Sequence, residues 1–473
     1  METKNQFGQD ESQFGQEENQ FGQDESQFGQ EEQYQHCIKG KKISKGTSLT
    51  LKGIGIFGLI ILMMLPMIMI SDLVRERKYR QKEVMTEVSS KWADSQTLSG
   101  PILIIPYKKA ASDGKGGFEY LTENLYLLPE NLNIEGLVNP QTRHRSIFDV
   151  TVYQSELSFK GHFAPIVPED LDIQASDLLL DKAQIYFGLS DFKGIEEQLS
   201  IQLDGKTYEL SASSILSFIN LNALSAPVSL VSDNLAGNHN FEMNLNIKGS
   251  GDLRFTPIGK TNNTSLKSSW KDPSFVGTFL PNSPAEISES GFSADWKILY
   301  LNRNYPQVWK HQAYRISEST YGVSLLQPTD SYAKTERSVK YAILFIALTF
   351  GLYFFIEILQ KKKVHALQYG LVGIGLCVFY ALLLSISEYI SFNYAYAIAS
   401  AATVALITLY TKGAFGKWKI AAIFGMVLSA LYGFIYILIQ LQDGALLFGS
   451  IGLFVLLAIT MYYSRKIDWY GGN

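Results

Sequence analysis

Three patterns of apolar residues divide this 473-residue chain. Residues 54–70 are an unbroken run of 17 uncharged residues, about 26 Å long as a helix. With Gly53 before it and the residues up to Leu73 after it, the run is long enough to cross a bilayer core. Five more apolar runs follow, at 339–359, 368–386, 390–410, 420–439 and 445–463. Between the first and second runs the period changes to two. The segments "PILIIPY" (101–107), "FDVTVYQSELSFKGHF" (148–163), "NFEMNLNIKGSGDLRFTPIG" (240–259) and "VGTFLP" (276–281) have strand character and are separated by Gly, Pro, Asn and Asp turns. Helical pattern in this region is confined to 75–93 and 212–221. The whole predicts an α+β membrane protein: six transmembrane helices, one N-terminal and five C-terminal, with a large β-rich, sandwich-like extracytoplasmic domain.

The first run also contains Gly53, Gly55 and Gly58 in the G-x-G-x-x-G spacing that cradles dinucleotide phosphates. That function needs a strand before the glycines, an amphipathic helix after them and an acidic ribose partner about 20 residues on. Residues 59–70 are instead apolar on every face, so the run reads as a membrane helix. No small-residue cleavage site follows it, which makes it an uncleaved anchor. Pro66 is expected to kink it.

Its direction is not readable locally. Lys39, Lys41, Lys42, Lys45 and Lys52 precede it, and Arg75, Arg77, Lys78, Arg80 and Lys82 follow it, five against five. The later connections break the tie. Lys361, Lys362 and Lys363 follow the second span; 387–389 has no basic residue; Lys412, Lys417 and Lys419 come next; 440–444 has none; Arg465 and Lys466 end the series. The alternation puts both chain ends inside and the β-rich region outside.

Charge is uneven although the net value is only −4. Residues 1–36 hold nine carboxylates against Lys4 alone. This tail repeats QFGQDES and QFGQEEN-like heptads, with Phe7, Phe14, Phe21 and Phe28 seven apart. A coiled coil needs two apolar positions per heptad, and here each lone Phe is followed by a helix-weakening Gly. An acidic, Gln-rich tail of this kind is expected to be disordered. The two cysteines, Cys37 and Cys377, are too few and too far apart for a disulfide framework or a cysteine metal site.

Several short motifs invite a chemical reading. Ser268-Ser269-Trp270-Lys271 and Ser232-Asp233-Asn234 match two motifs of penicillin-recognising Ser–Lys enzymes, but in reversed order. The third, K-T-G, is absent, Lys334-Thr335-Glu336 being the nearest. A second S-x-x-K, from Ser331 to Lys334, lies against the membrane. His144, His162, His239 and His311 are widely spaced and form no zinc-binding pair, so they read as surface or strand residues. Arg143-His144-Arg145 could meet an anionic lipid or polymer, or be a solvated turn. Gly416-Lys417 is followed by Trp418 and is not a phosphate loop. In the spans, Glu357 stands four residues before Lys361, the favourable i,i+4 order, while Glu388 and Asp443 fall at outer span ends. All three carboxylates have an interfacial reading, which argues against an ion pathway. Ala397, Ala401 and Ala405 repeat every four positions, as close helix packing requires. Tyr369, Tyr389, Tyr410 and Trp418 fit an aromatic belt.

The blocks "RERKYRQKEVMTEVSSKWADSQTLSGPILIIPY" (75–107), "LYLLPENLNIEG" (125–136), "RSIFDVTVYQSELSFKGHF" (145–163), "GLSDFKGI" (188–195) and "SSWKDPSFVGTFLP" (268–281) together resemble the CreD family of bacterial inner-membrane proteins. So do "GVSLLQPTDSYAKTERSVKYAILFIALTF" (322–350) and "IQLQDGALLFGSIGLFVLLAITMYYSRKIDWY" (439–470), so that the resemblance runs from about residue 50 to 470. It implies a link to envelope integrity, colicin tolerance and β-lactam stress, under a two-component regulatory system. It carries over no catalytic residue and no ligand site, and the heptad tail has no counterpart in it.

The expected organisation is then a disordered cytoplasmic tail (1–50), a first span (51–73), a periplasmic β-rich domain (74–338), five spans (339–463) and a cytoplasmic end (464–473). The expected function is non-enzymatic, in envelope integrity and envelope stress at the bacterial inner membrane. Membrane lipids are the expected partners, with envelope proteins or glycans at the outer domain. No nucleic acid, small-molecule ligand, cofactor, metal or catalytic residue is assigned. The alternatives are a transporter or channel, a membrane-anchored Ser–Lys hydrolase, and a signalling subunit.

Overall fold

The first apolar run belongs to a helix far longer than a membrane requires. In the computed structural model, which describes residues 45–112, 118–216, 218, 220–231, 235–310, 314–325, 331–441 and 444–465, α1 (Lys45–Leu62) is followed by α2 (Met64–Trp92). Helical residues Thr50–Trp92 number 43, about 65 Å of rise. Only the first half is apolar. The ladder falters at Met63 because Pro66 has no N–H to give the Leu62 carbonyl. The helix expected at 75–93 is thus the polar half of α2. The phenylalanine repeats, Cys37, His311, Asp443 and the motif Ser232-Asp233-Asn234 lie outside the described residues.

Among the described residues seventeen strands follow and form two sheets. The nine-stranded sheet is built on β1 (Gln96–Ser112), which pairs with β2 (Phe118–Leu127), β5 (Gln184–Leu189) and, in parallel, β11 (Asp252–Phe255). Beyond β5 lie β9 (Leu221–Pro227) and β8 (Ser211–Leu216); beyond β11 lie β17 (Tyr321–Ser324) and β13 (Ser274–Gly277); β16 (Val308–Lys310) pairs with β2. The eight-stranded sheet runs β14 (Glu286–Ser288), β15 (Gly291–Leu299), β12 (Thr261–Ser268), β3 (Asn131–Arg145), β4 (Phe148–Phe163), β10 (His239–Ser250), β6 (Ser200–Leu203) and β7 (Lys206–Glu209). Asp204 and Gly205 both have positive φ, the two-residue turn geometry that matches strand twist, and so close the β6–β7 hairpin.

One helix expectation and one strand expectation change. In the segment 212–221 the described residues are not helical: 212–216 lie in β8 and Leu221 opens β9, where Ala212 pairs with Leu224. Pairing to a central strand overrides a short local helical pattern. The segment 276–281 is mostly irregular, with only its first two residues in β13.

Inward residues of both sheets form one core. In β10 the alternation is clean, with Phe241, Met243, Leu245 and Ile247 buried and Asn244 and Asn246 outside. Across the layers Phe159 meets Phe187 edge to face at 5.2 Å, and Trp296 meets Tyr321 at 5.8 Å. The buried Tyr321 hydroxyl shares a 2.6 Å hydrogen bond with Thr264, so the aromatic layer carries no stranded polar group at that point.

After β17 come α3 (Ser331–Lys340), α4 (Ala342–Gln360), α5 (Ala366–Ser387), α6 (Phe392–Phe415), α7 (Trp418–Gln440) and α8 (Ala445–Ser464). Among the described residues five helices are long and apolar enough to cross a membrane: the N-terminal one and α4 to α7. The apolar stretch described in α8 is the shorter Leu447–Tyr462, which leaves Phe454 and Leu457 exposed. The bundle core is aromatic, with Tyr432 against Phe345 at 4.4 Å and Phe379 at 4.7 Å.

Truncating the inter-sheet aromatic layer tests this arrangement. Phe159→Ala is expected to cost about 3–5 kcal/mol and to lower the unfolding midpoint of the detergent-solubilised protein, whereas the outward Ser158→Ala should leave it nearly unchanged.

Candidate functional site

The chemistry that stands out lies where the sheets meet the helices. In β4 the alternation fails at residues 150–153, which are all buried. The reason is that α2 covers the outer face of the eight-stranded sheet there. Val74 and Val84 of α2, Phe148, Val150 and Val152 of β4, Tyr332 of α3 and Leu384 of α5 form one apolar cluster. It joins a strand, the long helix and a bundle helix in a single contact.

Charged side chains complete this joint. At the end of α2 the Trp92 ring lies under both the Arg143 guanidinium, 4.6 Å from its centroid, and the Lys248 ammonium at 4.9 Å. Arg145 reaches Glu87 at 3.3 Å, and Lys91 reaches the same carboxylate at 2.7 Å. Lys91, and then Arg145, hold the Glu87 carboxyl below its usual range. Lys193 donates to the Ser90 carbonyl at 2.8 Å. Arg143-His144-Arg145 is therefore no free basic patch. His144 is bound to Asp149 at 2.5 Å, and both arginines fasten the β3–β4 hairpin to α2.

Two carboxylates clamp the same long helix at opposite ends of the bundle. At the sheet end, the Glu388 side chain is 11% exposed; Arg77 Nε stands 3.6 Å away, and the Tyr332 hydroxyl donates to it at 3.2 Å. Lys78 pairs with Glu336 of α3 at 3.3 Å, and Lys334 donates to Gln440 at 3.2 Å. At the other end, Glu357 is buried. It accepts from the Lys52 ammonium, from the Tyr369 hydroxyl at 2.7 Å and from the Val364 N–H at 3.0 Å. Lys52 also donates to the Val364 carbonyl at 2.7 Å.

This corrects two expectations. Glu357 is bound by Lys52 of the first helix, not by Lys361, which is exposed and ends α4 at φ 51. Tyr369 is no belt residue: it is fully buried as a donor to Glu357, whereas Tyr389 and Trp418 are exposed. A sequence signal for the pair existed. Glu357 is the one carboxylate in the run 339–359, and Lys52 stands just before the first run.

The remaining candidates are scattered. The Ser268 hydroxyl is nearly buried and accepts from the Trp270 N–H at 3.2 Å, while Lys271 is exposed and pairs with Glu289 at 2.8 Å. Glu289 raises the Lys271 pKa, opposite to what a lysine base needs. In the second S-x-x-K, the Ser331 carbonyl accepts from Thr335, and Lys334 lies 5.7 Å over the Phe392 ring. His239 is a strand residue, buried at the start of β10; it pairs with Asp204 at 2.6 Å and holds the β6–β7 turn against β10. Ala397, Ala401 and Ala405 line an open groove of about 930 Å³ between α6 and α7. The tight α6–α7 contact falls instead at Gly425, where a Cβ would come 2.5 Å from Thr408 Oγ1.

A family model described as Inner membrane protein CreD matches residues 48–470 of the chain. The Inner membrane protein CreD of Escherichia coli (strain K12) is 31% identical over 421 residues, which is 88% of this chain and 92% of that protein.

The inner clamp makes a quantitative prediction. Lys52→Met or Glu357→Leu alone is expected to cost about 3–5 kcal/mol, the first by leaving its partner stranded, and the double replacement to recover most of it. Thermal unfolding of the four proteins in detergent measures the coupling; additive losses would show that the pair does not act as a unit.

Proposed function

We propose, from the premise that this chain belongs to the CreD family of inner membrane proteins, that it is a non-enzymatic envelope-integrity and envelope-stress factor. It spans the bacterial inner membrane six times with both ends in the cytoplasm, and its two-sheet unit lies in the periplasm. The observation that carries this reading is the joint. The sheets are fastened to α2 through Trp92, Arg143, Arg145 and Glu87, and α2 is clamped to the bundle at Arg77 and, through α1, at Lys52. A β-rich unit held this firmly on a helical base suits a fixed platform that contacts envelope components.

The grouping of loops supports the orientation. Lys362 donates to the Ala414 carbonyl at 2.7 Å, and Lys417 to Gln360 at 3.3 Å, so the basic loops after α4 and α6 lie together, on the Lys52–Glu357 side. The sheets lie on the Glu388 side with α3. Basic loops gather on the cytoplasmic face of bacterial inner membranes. The engagement of Ser268 and Lys271 by other groups weighs against the hydrolase alternative. The buried Glu357 and the half-buried Glu388 sit at helix ends with several partners, which weighs against an ion path through the spans.

Two experiments test the reading. With Cys37 and Cys377 replaced, Asn133→Cys should be labelled by an impermeant maleimide on permeabilised outer membranes, and Lys363→Cys only after lysis; the reverse pattern would refute the orientation. In a strain lacking the protein, Ser268→Ala and Lys271→Ala should restore envelope resistance to β-lactam as the wild type does. Loss of rescue by either variant, with the chain folded and inserted, would favour the hydrolase.

A further inference from the structure

Beyond the end of α2 the outer face of the eight-stranded sheet is uncovered, and its register builds a furrow. One cross-strand row runs Asn244, Ser158, Glu135, Ser265, Asp295 over β10, β4, β3, β12 and β15. Ser158 and Ser265 are short and form a floor. The row on one side brings Glu156 and Lys267, and the row on the other brings Lys160 and Lys297, all taller side chains. Two contiguous concavities of about 550 and 290 Å³, sharing Glu135 and Ser265, follow this line. Five strands are crossed, so the furrow is about 19 Å long at the usual strand spacing. Glu135 is ten residues along β3 from Arg145, which sets the furrow about 33 Å from the membrane-side hairpin.

The rim that carries Lys160 is held internally, whereas the floor and Glu156 and Lys267 of the other rim are not. Lys160 pairs with Glu242 at 2.9 Å, and Asn263 donates to Asn133 at 2.9 Å. The side chains of Asn244, Ser158, Glu135, Ser265, Glu156 and Lys267 make no hydrogen bond among the described residues. They offer, side by side, carboxylate acceptors, an ammonium donor, an amide and hydroxyls that do both.

We propose that this furrow binds an extended, hydroxyl-rich polysaccharide strand. The proposal rests on the periplasmic placement above and deepens it by naming the partner class. The lining decides between polymers. A nucleic acid or other polyanion needs an excess of cations, yet Glu135, Glu156, Glu242 and Asp295 here outnumber Lys160, Lys267 and Lys297. A folded protein partner needs apolar or aromatic anchors, and Leu137, 45% exposed, is the one large apolar side chain in the three rows. A sugar chain carries vicinal hydroxyls that donate to Glu135 and Glu156 and accept from Lys267, replacing bound water bond for bond. Without an aromatic platform each sugar unit is held weakly, and affinity accumulates with length as successive units engage successive strands.

The test uses the full detergent-solubilised chain and chito-oligosaccharides of increasing length, read by calorimetry and by saturation-transfer NMR. Binding that strengthens with length is expected. Ser158→Trp, which fills the floor from an outward position, and Glu135→Ala should each weaken it about tenfold or more without moving the unfolding midpoint. Lys206→Ala, at the far edge of the same sheet, should not change it. No length-dependent binding, binding that both furrow variants leave intact, or competition by peptides but not by sugars would overturn the proposal. The assay is independent of membrane orientation, so failure here is distinguishable from a failed topology, which the maleimide labelling reports.

Discussion

A carboxylate in a membrane helix must be neutralised and hydrogen-bonded, because lipid gives it neither counter-ion nor donor. Two carboxylates at helix ends, Glu357 in the last turn of α4 and Glu388 just after α5, pair with the long N-terminal helix. Their cations, Lys52 and Arg77, are 25 positions apart on that helix, about 37 Å of rise, a little more than a hydrocarbon core. Clamped at both ends, the helix has little freedom to slide or rotate against α4 and α5. Everything beyond Arg77 inherits that placement.

The inheritance passes upward through α2. Its polar half carries Val84 and Trp92 onto β4 and β10, and the sheet answers with Val150, Val152, Arg143 and Lys248. Covering that face removes the outward polar requirement locally, which is why four consecutive residues of β4 are buried there and why alternation returns farther along the strand. The same face is thus joint at one end and open furrow at the other. Trp92 marks the boundary, with its ring under two cations contributed by different strands.

Much of this was readable before any coordinates. The period-two segment 148–163 became β4, and 240–259 became most of β10 and then β11 in the other sheet, because each strand has one face to bury. The apolar runs became helices because lipid allows no other open-ended element. The errors share a cause. Local spacing paired Glu357 with Lys361 and assigned 212–221 to a helix, but partners 305 and 12 residues away, Lys52 and Leu224, decided both. Tyr369 looked like an interfacial aromatic and proved to be a buried donor, since its exposure depends on a helix whose position no local pattern reveals.

The sequence by itself determined the alternation of apolar and polar faces in β4 and β10 and the number and order of apolar runs, because these follow from short-range periodicity and from the cost of exposing greasy surface to water. Tertiary structure alone decided which charges meet, that Arg143 and Arg145 grip α2, and that Asn244, Ser158, Glu135, Ser265 and Asp295 fall in one row. Those outcomes depend on strand register and helix placement. Both are fixed by contacts between residues far apart in the chain, and no window of neighbouring residues contains them.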